Sequence, residues 1–98
     1  MVKVVYNSRY GGFSISGEAV KYLKEHGVPK KYCNTYTEIP RHDKTLVECV
    51  ETLRDAANGP FAKLSIAVIE GKKYHIDEHD GFESVKTPEN TDWIIVED

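Results

Sequence analysis

No stretch of the 98-residue chain approaches the run of about 18–20 apolar residues that a membrane-spanning helix needs. The segment Met1-Val2-Lys3-Val4-Val5-Tyr6 is too short, and too soon interrupted by Asn7 and Arg9, for a secretory signal. Cysteine is scarce. Cys33 and Cys49 lie sixteen positions apart and form no CxxC motif, so reduced core or surface thiols are expected rather than a disulfide or a zinc pair. The motifs GxSxG, HExxH and the P-loop are all missing, and no nucleophile–base arrangement is legible, so an enzyme is not expected and no cofactor is implied. Excess positive charge is lacking too. The formal net charge is −3, which argues against general nucleic-acid binding.

What is present is an ordinary globular composition, 40% apolar and 30% charged, in a length that suits one domain spanning 1–98. The charge is uneven. Residues 1–69 carry ten Lys/Arg and seven Asp/Glu, a net of +3, whereas residues 70–98 carry three and nine, a net of −6. The acidic third has two readings, a soluble sheet surface or a face for a partner.

The β-branched and aromatic run Val2–Tyr6 predicts a strand. A helix should follow Ser16, with Ala19, Val20 and Leu23 inward and Gly27 as its stop. Cys33–Ile39 is read as a short strand with Thr35-Tyr36-Thr37 its best part. Asp43 should cap a second helix in which Leu46, Val47, Val50, Leu53 and Ala57 share one face, stopped by Asn58-Gly59-Pro60. Leu64, Ile66 and Val68 alternate with polar or small residues. Glu70-Gly71-Lys72-Lys73 reads as a hairpin turn, Tyr74–His79 as a strand, Asp80-Gly81 as a second turn, Phe82–Val85 as a strand and Trp93–Val96 as the last one. The expected fold class is therefore α+β, a small antiparallel or mixed sheet packed against two helices.

Three places invite a functional reading. In the loop Asn7-Ser8-Arg9-Tyr10-Gly11-Gly12-Phe13-Ser14, glycines allow close approach of backbone N–H groups, Arg9 suits phosphate, and Tyr10 and Phe13 suit base stacking. The competing reading is a tight turn whose aromatic residues plug the core. Arg41 and His42 precede the second helix and would bring one fixed and one pH-dependent positive charge to its N-terminus, while Asp43 is explained as a cap. His75, Asp77 and His79 share one strand face. A metal half-site is possible there in principle, but an exposed polar face is the preferred reading and no metal is expected.

Taken in order, five segments resemble a known family. Tyr10-Gly11-Gly12-Phe13-Ser14-Ile15-Ser16, Ile39-Pro40-Arg41-His42-Asp43, Ala57-Asn58-Gly59, Ala62-Lys63-Leu64-Ser65-Ile66 and Asp77-Glu78-His79-Asp80-Gly81-Phe82-Glu83-Ser84-Val85 look like a family of small proteins common in tailed phages and large viruses. The resemblance runs from about Lys3 to Val85. This chain departs from the family pattern at His79, where the family usually has Tyr, and at Arg54, where it often has Gly. The resemblance implies an association with phage sponge proteins, which are non-enzymatic oligomers that sequester cyclic nucleotides made by bacterial immune systems.

The combined expectation is an immune-evasion protein acting in the cytoplasm of an infected bacterial cell. It would be a homo-oligomer that holds a small anionic nucleotide without turnover and does not engage a membrane. Its ligand-binding residues would be Asn7, Arg9, Tyr10, Gly11, Gly12, Phe13, Ser14, Arg41 and His42. The alternative is a viral inhibitor that binds a host protein through acidic C-terminal strands, and a third possibility is a virion or housekeeping protein with no ligand.

Overall fold

The first strand is where chain chemistry and position agree most closely. β1, Val2–Asn7, buries Val4 and Val5 completely although they point to opposite faces, so the strand is covered on both sides. One edge of β1 pairs antiparallel with β2, Leu64–Ile69, in a register from Val2 opposite Ile69 to Asn7 opposite Leu64. On the other edge the Val5 N–H donates to the Arg41 carbonyl at 2.8 Å. The computed structural model describes residues 1–88, so the expected strand Trp93–Val96 and most of the loop before it lie outside the described residues.

α1, Gly17–Glu25, starts where Ser16 accepts from the Ala19 N–H at 3.1 Å. It buries Ala19 and Leu23, with Val20 half-buried beside them. α2, Lys44–Leu53, starts where Asp43 Oδ1 accepts from the Thr45 and Leu46 N–H groups. Both helices lay their apolar stripes on one core that also contains Val5, Ile15, Ile39 and Ala57. Cys49 lies at its centre, and burial pushes its thiol up to about 11. Both cysteines are free thiols.

Three expectations about local structure are corrected. Cys33–Ile39 is not a strand. Cys33 closes a short 3-10 turn, Lys30–Tyr32, and Thr37 Oγ1 takes the Ile39 N–H at 3.1 Å, a local bond that competes with ladder pairing. The second helix stops at Leu53, because Arg54 adopts φ 52° and ψ −125°, and a 3-10 turn over Arg54–Ala57 carries Ala57 into the core instead. Among the described residues the Glu70–Lys73 segment does not join paired strands: β2 pairs with β1, and the strand after the segment pairs elsewhere. The third strand, β3 (His75–His79), pairs among the described residues with β4 (Phe82–Lys86) alone, through the two-residue turn Asp80-Gly81.

The fold is thus α+β, with two helices and two antiparallel strand pairs among the described residues. Leu64 and Ile66 pack on the core, but Val68 on the same face lies past its end and is 58% exposed. No helix among the described residues is long and apolar enough to cross a membrane.

Candidate functional site

The two strand pairs meet at the glycine loop, and the residue that joins them is Asn7. Its backbone N–H donates to Glu83 Oε1 at 2.9 Å. Its side-chain amide donates to the Arg9 carbonyl at 2.7 Å and to the Gly81 carbonyl at 2.8 Å, while Oδ1 accepts from the Lys63 N–H at 2.9 Å. One fully buried amide therefore ties the loop to the β3–β4 turn and to the start of β2. Such an amide folds only if its donors and acceptor are all matched, and here they are.

Glu83 is the second member of this junction. It is only 6% exposed, and both of its oxygens accept from Arg41, Nη1 to Oε1 at 2.5 Å and Nη2 to Oε2 at 3.0 Å. The guanidinium also lies 3.5 Å from the centroid of the Phe13 ring. This two-pronged pair with an aromatic lid is the geometry in which arginine is hardest to replace. It also sets the sense of β4, with the carboxylate of Glu83 turned inward and the ring of Phe82 turned outward.

Glycine is required at the centre. Asp80 and Gly81 both have positive φ, 52° and 87°, the form of hairpin turn that fits the twist of the strands. A side chain at Gly81 would collide with the backbone of Gly11 and Gly12. The Gly11 N–H donates to the Asp80 carbonyl at 3.3 Å.

The nine residues expected to bind a ligand therefore divide. Asn7, Phe13, Ser14 and Arg41 face inward and hold the junction, with Ser14 Oγ donating to the Pro60 carbonyl at 3.0 Å. Gly11 and Gly12 form the contact surface with the hairpin turn. Arg9 and Tyr10 face outward. Arg9 is exposed, and its guanidinium has no hydrogen-bond or ion-pair partner among the described residues. Tyr10 is 62% exposed and sits 5.2 Å, centroid to centroid, from the ring of Phe82, itself 39% exposed.

Arg41 and the loop do converge, but Arg41 meets Phe13 and Glu83 rather than open space. His42 stands apart. Its Nδ1 is 2.6 Å from the Tyr74 hydroxyl, and it borders an open cleft of about 470 Å³ with Lys3, Lys44 and Glu51. Burial raises the Tyr74 phenol, opposed by the Arg41 charge and a hydrogen bond at His42. His75, Asp77 and His79 are all exposed on β3, and among the described residues no group of three or more His, Cys, Asp or Glu could hold a metal.

Sequence reasoning missed Glu83, Phe82 and Phe61. Phe82 and Glu83 read only as part of a strand, with no facing assigned to either. Phe61 followed a stop signal, Asn58-Gly59-Pro60, and carried no pattern of its own. No family model, curated protein or solved structure matches this chain. The phage-family resemblance of Lys3 to Val85 therefore stands on its motifs alone.

Proposed function

We propose that this chain is a phage-type immune-evasion protein that sequesters a cyclic nucleotide through the outer face of its glycine loop, without turnover. The observation that carries the reading is the Tyr10–Phe82 ring pair, exposed beside an arginine whose guanidinium is unengaged among the described residues. Exposed rings on a rigid base provide a stacking surface, and a free guanidinium provides two-pronged contact with phosphate. Lys63 is exposed at the edge of the same loop, its backbone fixed by Asn7 and Ser8. The phosphate contact expected of both Arg9 and Arg41 rests in this reading on Arg9 alone, with Arg41 and Glu83 setting the angle of the surface.

Thermal-shift measurement against a panel of cyclic di- and trinucleotides tests the proposal. A ligand at 100 times its dissociation constant stabilises the native state by about 2.7 kcal/mol, a rise of roughly ten degrees or more in a domain of this size. No rise with any member removes the reading. Recovery of a hydrolysed ligand after long incubation would remove the claim of binding without turnover. Assembly as a homo-oligomer belongs to the same proposal, since small chains build shared pockets across symmetric interfaces. A ligand-saturated monomer in sedimentation would exclude it.

One observation favours a second reading, inhibition of a host protein. Asp77, Glu78 and Asp80 are all exposed on the β3–β4 hairpin and give it a concentrated negative surface. Capture of a single host protein from lysate, abolished by neutralising those three residues, would move the assignment there.

A further inference from the structure

Phe61 carries two unfavourable features at once. Gly59, Pro60, Phe61 and Ala62 form a turn in which the Ala62 N–H donates to the Gly59 carbonyl at 3.1 Å. Proline fits the second position of such a turn, and the third, here Phe61 at φ 62°, is one that glycine or asparagine ordinarily fills. A bulky aromatic residue in the left-handed region is strained. Burial does not compensate, because Phe61 is 73% exposed.

The turn is nevertheless fastened to the glycine loop. The Gly59 N–H donates to the Ser14 carbonyl at 3.1 Å, and Ser14 Oγ donates to the Pro60 carbonyl at 3.0 Å. A Cβ placed on Gly11 would come within 2.7 Å of Phe61 Cβ and 2.9 Å of its carbonyl oxygen. Gly11 thus has no side chain where the Phe61 backbone must sit, next in sequence to Tyr10. Strain retained at an exposed position on an over-determined scaffold is characteristic of a residue held for a ligand.

We propose that Phe61 is a further ligand-contacting residue, held in its strained conformation so that its ring stacks on a base of the ligand. The inference rests on the nucleotide-binding reading above and adds a requirement: the ligand carries a planar aromatic group, and phosphate alone is not enough.

The test is titration of the wild-type chain and of Phe61→Gly, Phe61→Leu and Phe61→Trp with cyclic di-GMP, cyclic di-AMP and cyclic tri-AMP, with melting temperatures measured alongside. Phe61→Gly should keep or raise the melting temperature, since glycine relieves the strain, while weakening binding about ten- to hundredfold. Phe61→Trp should preserve affinity, whereas Phe61→Leu, equally apolar but without a π-face, should lose it. Unchanged affinity in Phe61→Gly, or full affinity in Phe61→Leu, overturns the inference while leaving the nucleotide reading intact. Loss of both stability and affinity in Phe61→Gly also overturns it, because the residue is then structural. Failure of the wild-type chain to bind any of the three ligands removes the parent reading, and this inference with it, before any variant is compared.

Discussion

The inner and outer faces of the same short loop differ in what their polar groups touch. On the inner face every strong group has a partner: Asn7 with three backbone sites, Glu83 with Arg41 and the Asn7 N–H, and Phe13 beneath a guanidinium. On the outer face Arg9 has no side-chain partner among the described residues, and Tyr10, Phe61 and Phe82 keep their rings in water. Residue type does not distinguish the two faces, since each has an arginine and a ring. What differs is whether another part of the chain arrives to satisfy them. Arg41 is structural because β4 delivers Glu83 to it, and Arg9 is available because nothing among the described residues is delivered to it.

The sharpest way to break this contrast is Glu83→Ala. It leaves the Arg41 charge half-buried and the Asn7 N–H without its acceptor, so a loss of about 3–5 kcal/mol is expected, visible in urea unfolding. A loss below about 1 kcal/mol would mean the inner face is not the anchor described above. Next in size is a comparison within the glycines. Gly81→Val combines positive φ with a backbone collision and should lose roughly 2–4 kcal/mol, whereas Gly12→Val, with φ 96° but open space around it, should lose only about 1–2 kcal/mol. Equal losses would show that close approach at Gly81 contributes nothing.

On the outer face, Arg9→Ala should change stability by no more than about 0.5 kcal/mol and weaken nucleotide binding ten- to a hundredfold, roughly 1.4–2.8 kcal/mol in affinity. Unfolding of that variant would place Arg9 with the inner group. The smallest expected effect is at Asp80, exposed and 3.6 Å from His79. Asp80→Asn keeps a residue tolerant of positive φ and removes a negative charge beside the loop, so affinity for an anion should rise by a factor of about two to five with stability altered by a few tenths of a kcal/mol. A decrease in affinity would indicate that the ligand approaches from elsewhere.

Local signals in the chain made much of the scaffold legible. Ser16 and Asp43 cap the helices they were expected to cap, because capping depends on residues within three positions. The end of α2 was not legible. The apolar spacing continues to Ala57, and only the backbone of Arg54, in a conformation that suits glycine, interrupts it. Thr37 illustrates another limit: its β-branched neighbourhood favours a strand, but its own hydroxyl takes the N–H a strand would need.

For the candidate site, the loop was legible as a place but not as a division of labour. Whether Arg9 or Arg41 is free depends on Glu83, forty-two positions beyond Arg41, and no periodicity reports that pairing.

The pairing distances of the two strand ladders also imply an order of assembly. β3 and β4 join residues three to eleven positions apart, from His79 with Phe82 to His75 with Lys86. β1 and β2 join residues 57 to 67 positions apart. A hairpin of the first kind closes in about 1–10 μs, whereas the second kind must wait for most of the chain to collapse. Contact between Asn7 and Glu83 spans 76 positions and needs both ladders in place. The Asn7–Glu83 junction is therefore expected to form late in folding, and conservative substitutions at Asn7 should speed unfolding while leaving the refolding rate nearly unchanged, a pattern that stopped-flow measurements would reveal.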